Sequence, residues 1–312
     1  GTPDKPTVKA VRRYLTEFLN DRRVIDIPLI LQKILVNLII VPFRAPKSTK
    51  LYQRLWTDKG SPLLYFSEQV KSELQKKLDS KADVFLAMRY GNPSIGKALS
   101  AIQKGNFDRV VIFPMFPQYA SSTNGTAIQS VIDQIRQWNT IPEIHAVNQF
   151  YDHPAFLDAF TERIQSYQPE NFDHVIFSYH GLPNRHLEKN HPEESINTCN
   201  CETALPEFGK FCYKATCYQT TRELASRLGL KPGQYSVSFQ SRLSNNWMTP
   251  FTDQNLISRA KQGSKNILVV APAFVADCLE TTVEIGWEYK EMFIANGGEH
   301  GREDLVAVLQ AL

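Results

Sequence analysis

The sequence lacks three features that would each have indicated a class of protein. No P-loop or GxGxxG motif follows a predicted strand, so a nucleotide cofactor is not supported. No secretory signal is visible, and we expect a reducing, cytoplasmic environment. The longest apolar run, between Pro28 and Pro42, has thirteen residues, whereas a membrane-spanning helix needs about 20. What remains is the composition of an ordinary globular chain of 312 residues, long enough for two domains.

Positive charge is concentrated at the start of the chain. Residues 1–59 hold twelve Lys and Arg against five acids, although the net charge of the whole chain is only +3. A basic and apolar first segment suits anionic lipid or an anionic ligand. The Pro28–Pro42 run predicts either a buried helix or an apolar lip that touches a membrane or a hydrophobic ligand. We favour the lip, with peripheral membrane association, and expect no nucleic-acid partner.

Strands alternate with helices from residue 84 onward, which is typical of α/β proteins with parallel sheets. We predict two similar α/β halves that meet near residue 150, as domains 1–150 and 151–296, followed by a C-terminal helix in 297–312 that packs back on the first domain. The predicted strands are Val84–Met88, Arg109–Phe113, Glu143–Val147, His174–Ser178, Tyr235–Phe239 and Ile267–Ala271. The predicted helices include one after Thr7, Lys47–Trp56, Ser67–Leu78, Ser94–Lys104, Thr126–Trp138, Pro154–Tyr167, Cys217–Leu228, Thr252–Gln262 and Asp277–Ala295.

A row of carboxylates follows the last predicted strand. Asp277 occupies the position of a helix N-cap, and Glu280, Glu284 and Glu288 follow at a spacing of four, which places them on one helix face. Like charges at this spacing destabilise an isolated helix. The row is therefore either a solvated face or, because ligand crevices in α/β proteins follow the strands, a path for a cation or protons.

A histidine, His180, directly follows another predicted strand, in a turn bounded by Gly181 and Pro183. An isolated histidine is more often structural than catalytic. With a carboxylate row at a strand end of the same half, however, its imidazole is placed to bind a metal or to exchange protons near neutral pH.

These segments resemble those of a known family. FSYHGLP, FQSRLSNNWMTPFTD and APAFVADCLETTVEIGWEY are similar to motifs of the ferrochelatases, and GTPDKPTVKAVRRYLTEFLNDRRV, RLWTDKGSPL and FPQYASST are similar to their N-terminal half. The resemblance implies two Rossmann-like halves of the class II chelatase type with a porphyrin cleft between them. It also implies insertion of Fe²⁺ into protoporphyrin IX, with release of two protons, to make haem.

The resemblance assigns roles to individual positions. It implies that His180 and Glu280 are catalytic and hold the metal together with Asp277, Glu284 and Glu288. The residues that it implies for porphyrin binding are Arg54, Arg89, Tyr119, Ser121, Trp247 and Phe274. The sequence departs from the family in three places: the strand expected before Gly1 and part of the C-terminal region are absent, and Cys278 stands where some relatives carry histidine. A thiol at a helix start is a candidate reactive cysteine. The face from which iron enters is left open.

Four of the five cysteines form the pattern C-x-C-x₁₀-C-x₄-C at Cys199, Cys201, Cys212 and Cys217. Without a sign of secretion, four close thiolates indicate a metal centre, either Zn²⁺ or an iron–sulfur cluster, and the spacing does not decide between them. The resemblance favours a [2Fe–2S] cluster, with zinc second, in a structural or regulatory role. Cys278 is excluded from the predicted centre.

Three alternatives to a protoporphyrin ferrochelatase stay open. One is a chelatase for coproporphyrin or for a cobalt-accepting tetrapyrrole. Another is a haem or metal sensor without turnover that uses the cysteine segment as its switch. The third is a plain α/β domain with a buried histidine and a solvated acidic face. The sequence does not indicate an oligomeric state.

Overall fold

The structure is a computed structural model that describes residues 1–191 and 195–299. The chain divides into two compact units. Unit 1 comprises residues 1–115 and 121–148, and unit 2 comprises residues 116–120 and 149 onward. Each contains a parallel sheet flanked by helices, which confirms the predicted α/β class. Residues 300–312, which hold most of the predicted C-terminal helix, lie outside the described residues.

Unit 1 begins with two helices that pack together. Helix α1 spans Val8–Leu19. Its N-cap is Thr7, whose hydroxyl accepts a hydrogen bond from the backbone N–H of Ala10. Its buried face consists of Val11, Leu15 and Leu19, spaced four residues apart and therefore on one side of the helix. That face packs against the last part of a long helix that follows.

The long helix differs from the predictions. It runs without a break through α2 (Leu29–Ile34), a π-helical turn (Leu35–Ile40) and α3 (Val41–Leu55), so the predicted end at Pro42 and the separate helix Lys47–Trp56 are wrong. Proline lacks the N–H that would close the preceding turn. Here that turn is already widened, because Val41 N–H donates to the carbonyl of Val36, and a π turn accommodates the missing donor.

The same helix is the only one in the described ranges whose length and apolar composition would let it cross a membrane: Leu29–Leu55 has 27 residues, and 22% of its apolar window is buried. The prediction that the run is too short to span rested on an end at Pro42. Core helices and signal sequences share this composition, so it does not by itself identify a membrane span.

The rest of unit 1 follows the predicted order with one exception. Its elements are α4 (Pro62–Leu78), α5 (Ile95–Gly105), β1 (Arg109–Ile112), α6 (Thr126–Ile135) and β2 (Glu143–Ala146), with a 3₁₀ turn at Asp79–Lys81 and a π turn at Ser121–Gly125. Strands β1 and β2 pair in parallel. The predicted strand Val84–Met88 is wrong. Gln75, on α4, accepts from the N–H of Val84, and the N–H of Met88 donates to the carbonyl of Pro93, so backbone groups at both ends of this run are paired outside a sheet.

Unit 2 contains a three-stranded parallel sheet in the order β4-β3-β5. Its strands are β3 (His174–His180), β4 (Tyr235–Gln240) and β5 (Ile267–Val270), and its helices are α7 (Pro154–Gln165), α8 (Asn184–Glu188), α9 (Tyr213–Arg227), α10 (Thr252–Lys261) and α11 (Lys290–Ala295). A π-helix, Leu279–Tyr289, precedes α11, and 3₁₀ turns lie at Pro169–Asn171 and Glu207–Phe211.

The central strand explains how this sheet is held. Alternate residues of a strand point to opposite faces. Val175, Phe177 and Tyr179 accordingly belong to the larger hydrophobic core, and Ile176 belongs to a second core with residues of α10 and α11. Both faces of the sheet are therefore covered. Because the three strands are parallel, their carboxyl ends lie at the same edge, which is where α/β proteins bind ligands.

Candidate functional site

His180 lies at the carboxyl edge of the unit 2 sheet. It is the last residue of β3 and pairs in register with Gln240, the last residue of β4. The next residue, Gly181, donates its N–H to the carbonyl of Gln240 at 2.8 Å. A Cβ at Gly181 would lie 2.9 Å from that oxygen, closer than real side chains approach. Glycine is therefore needed to bring the two strand ends together.

Two aromatic rings flank the imidazole of His180. The ring centroid of Trp247 lies 6.4 Å from that of His180, and the centroid of Phe274 lies 6.5 Å from it. Nδ1 of His180 is 2.7 Å from the carbonyl oxygen of Gly181. Because a carbonyl only accepts, Nδ1 carries a proton, and in the neutral ring Nε2 is the basic nitrogen. Three of the predicted site residues are thus brought together.

The carboxylate row lies on the π-helix Leu279–Tyr289. Its N-cap is Cys278 and not Asp277 as predicted, because Thr281 Oγ1 accepts from the N–H of Cys278 at 3.0 Å in a capping box. The burial of the predicted acids decreases along the chain. Asp277 is buried, Glu280 and Glu284 are half-buried, and Glu288 is exposed. The row therefore leads from the interior of unit 2 to its surface.

Glu284 is the most tightly held member of the row. Its carboxylate accepts hydrogen bonds from Gln240 Nε2 (3.2 Å), the backbone N–H of Ser241 (2.8 Å), the hydroxyl of Ser241 and the hydroxyl of Tyr289 (2.7 Å). Ser241 adopts a φ of 63°, a left-handed conformation that costs a non-glycine residue about 1 kcal/mol. Burial, and next the charge of Glu284, raise the pKa of Tyr289, so its hydroxyl remains a donor.

Gln240 connects the histidine strand to the acidic row. Its Nε2 also donates to the backbone carbonyl of Glu280 at 3.1 Å, and its Oε1 accepts from the hydroxyl of Ser178 at 2.9 Å. Ser178 in turn contacts Thr252 at 2.9 Å within a fully buried polar network. This network fixes which end of the amide faces the carboxylates. Sequence analysis gave Gln240 no role, although this residue lies in the motif FQSRLSNNWMTPFTD at the end of a predicted strand.

The predicted metal ligands do not form a closed metal site. Within residues 1–191 and 195–299, no three of His180, Asp277, Glu280, Glu284 and Glu288 bring their ligand atoms within 4.8 Å of one another. A resident ion is normally enclosed by four or more ligands. The arrangement instead offers a basic nitrogen beside aromatic rings and a graded series of carboxylates, which suits a substrate ion or protons that pass through.

The remaining predicted residues occupy other positions. In unit 1, Arg89 pairs at 2.5 Å with Asp21, whose side chain is 6% exposed, and lies over the ring of Tyr90. Although burial alone would raise the pKa of Asp21, hydrogen bonds from Thr126, Arg23 and Tyr90 and the charge of Arg89 hold it below its usual value. Sequence analysis missed Asp21. The other three predicted residues are not part of this pair. In unit 1, the hydroxyl of Ser121 accepts a hydrogen bond from Arg23, and Arg54 is exposed on the last turn of α3. In unit 2, the ring of Tyr119 packs on the ring of Phe211.

The cysteine segment forms a second cluster. Cys201, Cys212 and Cys217 are fully buried and Cys199 is half-buried. A residue that sequence analysis missed, His191, places Nε2 at 3.4 Å from Cys201 Sγ and 3.6 Å from Cys212 Sγ. A hydrogen bond from the Cys201 thiol lowers the pKa of Cys212 below its usual value. The only signal for His191 in the sequence is its position eight residues before Cys199.

Cys278 differs from its predicted character. Its side chain is 9% exposed, and burial, followed by the negative charge of Glu280, raises its pKa well above the usual value. A thiol reacts through its thiolate. The expectation of a reactive cysteine at this helix start is therefore wrong.

Comparisons with known proteins agree on one family. The family model described as ferrochelatase matches residues 1–303. A protein named ferrochelatase from Legionella pneumophila (strain Paris) is 44% identical over 302 residues, which cover 96% of this chain and 89% of the relative. One of the same name from Coxiella burnetii (strain Dugway 5J108-111) is 41% identical over 305 residues, which cover 96% and 84%.

Proposed function

The chain belongs to the ferrochelatase family, and we propose that it inserts Fe²⁺ into protoporphyrin IX, with release of two protons, in the last step of haem synthesis. The observation that carries this proposal is the position of His180. Its imidazole lies at the sheet edge near the rings of Trp247 and Phe274, and Gln240 joins that edge to the carboxylate row.

The residue types suit the chemistry of the reaction. A free porphyrin carries two pyrrole N–H protons that iron must replace, and a planar ring hides its nitrogen lone pairs from an approaching ion. Aromatic side chains that hold the ring in a saddled shape would expose those lone pairs, which is distortion toward the transition state. Nε2 of His180 accepts a pyrrole proton or holds Fe²⁺, and Glu280 does the complementary task.

The row from Asp277 to Glu288 supplies a path for charge. Its carboxylates present oxygen ligands that change from buried to exposed along one helix. Cations or protons that move along it would pass from solvent to the site in small steps. Glu284, fixed by its donors, is the part of this path that cannot reorient without breaking hydrogen bonds.

Substrate choice is tested by comparing two porphyrins. We expect steady incorporation of Fe²⁺ into protoporphyrin that exceeds incorporation into coproporphyrin, because an apolar lip favours the less carboxylated ring. A preference for coproporphyrin, or for cobalt and a more carboxylated tetrapyrrole, would support the alternative chelatases. Tight haem or metal binding without turnover would support a sensor.

We further propose that the protein is cytoplasmic and binds membranes peripherally through an apolar lip. Residues 29–43 include eight large apolar side chains that are at least 36% exposed: Leu29, Ile30, Leu31, Ile34, Leu35, Leu38, Ile39 and Phe43. Exposed Arg22, Lys33, Arg44 and Lys47 surround them in the sequence. Apolar insertion combined with attraction to anionic lipid is how interfacial helices bind.

Finally, we propose a metal centre in the cysteine segment, with a [2Fe–2S] cluster as the first candidate and Zn²⁺ as the second. The donors present fit a thiophilic metal, because Cys201 and Cys212 are buried together beside an imidazole. When bound, the centre would cross-link the segment that follows α8 to the start of α9. Anaerobically purified protein should contain about two irons and two labile sulfides per chain for the cluster, or one zinc for the alternative.

A further inference from the structure

The ligand atoms of His191, Cys201 and Cys212 form the one group of three possible metal ligands in the described part of the chain. All three atoms lie within 4.8 Å of one another, and all three residues are buried. The histidine nitrogen is 3.4 Å from one sulfur and 3.6 Å from the other.

Those separations are the ones a single tetrahedral ion imposes. With metal–nitrogen bonds of about 2.0–2.1 Å and metal–sulfur bonds of about 2.3 Å, the edge of a tetrahedron between nitrogen and sulfur is about 3.6 Å. Both nitrogen–sulfur separations are therefore already at coordination spacing.

The tautomer of His191 leaves its second nitrogen available. Nδ1 lies 2.9 Å from the backbone carbonyl of Leu187, which only accepts, so Nδ1 carries the proton. Nε2 then has a single lone pair, yet two sulfurs lie within 3.6 Å of it. One metal ion at that point would bind the nitrogen and both sulfurs at once. A backbone carbonyl on the other ring nitrogen is also the usual support of a metal-binding histidine.

Two cysteines, Cys199 and Cys217, are candidates for the fourth ligand, and they differ in their surroundings. Cys199 packs against the cluster of Cys201 and Cys212. Cys217 lies instead in the large hydrophobic core of unit 2, where its thiol is hydrogen-bonded to the side chain of Tyr213. The spacing C-x₄-C placed Cys217 in the predicted set, but its position on α9 directs it to the core.

We infer that His191 is a ligand of the metal centre together with Cys199, Cys201 and Cys212, and that Cys217 is not. This inference rests on the metal centre proposed above and changes its ligand set from four thiolates to three thiolates and an imidazole. Three protein ligands around one point fit a single thiophilic ion such as Zn²⁺, the second candidate above, better than a [2Fe–2S] cluster, in which each iron takes two protein ligands and two sulfides.

The test measures metal content in four variants of the full-length chain: His191→Ala, Cys212→Ser, Cys217→Ser and Cys278→Ser. Each is purified anaerobically, supplied with Zn²⁺ or with Fe²⁺ and sulfide, and analysed for bound metal and labile sulfide. We expect the wild type, Cys217→Ser and Cys278→Ser to hold the same amount. His191→Ala and Cys212→Ser should lose metal affinity by roughly tenfold or more, since even supporting residues change affinity by that factor.

A fifth variant keeps the inference testable if His191→Ala fails to fold. His191→Cys replaces imidazole by thiolate at the same position, so it should keep the metal and shift the thiolate-to-metal absorption bands. Loss of metal from Cys217→Ser with retention in His191→Ala would overturn the ligand assignment and restore the four-cysteine set. A wild type that binds neither zinc nor a cluster would overturn the centre itself, and the chelatase activity of the same samples is measured separately.

Discussion

At the scale of single residues, the site depends on one amide that sequence analysis did not select. Gln240 accepts from Ser178 and donates both to Glu284 and to the backbone of Glu280. It holds the acidic helix against the end of the histidine strand. Its role is to position other groups, since its own amide has no proton to exchange near pH 7.

We expect Gln240→Leu to reduce kcat for iron insertion and to lower the free energy of unfolding by about 1–3 kcal/mol, because buried Ser178 and the Glu280 carbonyl lose their partner. Steady-state kinetics and urea unfolding measure the two effects. Gln262→Leu, a glutamine at the end of α10, is the matched control. Unchanged kcat in a Gln240→Leu protein of normal fold would show that the contact does not position the acids.

A second residue predicts how stability depends on pH. His174 is 1% exposed, and burial, followed by the charge of Arg259, lowers its pKa to about 4 from an ordinary value of 6.5. Between these values the unfolded chain binds a proton that the folded chain does not. The free energy of unfolding should therefore fall as pH decreases from about 6.5 to 4, by at most about 3 kcal/mol from this group.

The measurement is urea unfolding at pH 7 and pH 5 for the wild type and His174→Gln. We expect the variant to lose less stability on acidification than the wild type. His145→Gln, an exposed histidine of β2, should behave like the wild type. Parallel curves for wild type and His174→Gln would mean that His174 does not contribute to the acid dependence.

Residue types at strand ends were predictable because parallel strands place their carboxyl ends together. His180, Trp247 and Phe274 come close in unit 2 for that reason. His191 and Asp21 were not predictable in the same way. Each acquires its role from contacts with residues distant in sequence, and neither lies in a pattern of fixed spacing.

At the scale of elements, the acidic row on the π-helix is held in place at Glu284. The groups that hold the Glu284 carboxylate all donate hydrogen bonds to it, so the amide of Glu284→Gln would place its own N–H₂ against one of these donors. We expect that variant to lose about 1–3 kcal/mol of unfolding free energy and to slow iron insertion. Glu291→Gln, an exposed acid of α11, should change stability by no more than about 0.5 kcal/mol. Equal effects of the two changes, measured by thermal unfolding, would contradict this account.

The long N-terminal helix predicts membrane binding that depends on its exposed side chains. Ile30 is 74% exposed and Leu38 is 69% exposed, so Ile30→Glu with Leu38→Glu should leave the fold intact. We expect the double variant to lose binding to anionic vesicles in flotation at low salt, because charge opposes insertion. Ile141→Glu, at an apolar position of unit 1 that is 57% exposed, is the matched control. Equal flotation of all three proteins would remove the lip from the proposal.

Two element predictions failed for local reasons. Proline normally ends a helix, but a π turn before Pro42 removed the need for its N–H. The apolar run Val84–Met88 has the composition of a strand, but its first N–H donates to the side chain of Gln75 and its last donates to the carbonyl of Pro93. Periodicity and composition carry no information about such competitors. Strands whose backbone groups pair in regular ladders were located to within two residues.

At the scale of the whole molecule, the alternation of strands and helices was enough to predict an α/β protein with parallel sheets. The family followed from several motifs in a fixed order, and the comparisons confirm it. The metal ligands of the cysteine segment were predicted from spacing alone. Spacing counts residues along the chain, whereas coordination depends on which side chains approach one another in space, and this is why His191, which lies beside Cys201 and Cys212, was missed.

The central claim is that this chain turns over as an iron chelatase through His180. The most direct measurement is the anaerobic rate of Fe²⁺ incorporation into protoporphyrin, followed by the loss of porphyrin fluorescence, for the wild type, His180→Ala and the control His145→Ala. We predict many turnovers for the wild type and the control and a rate lower by roughly 10²–10⁴ for His180→Ala, as loss of a general base requires. A His180→Ala protein that inserts iron at a near-normal rate, or a wild type that stops after one equivalent, would contradict the account.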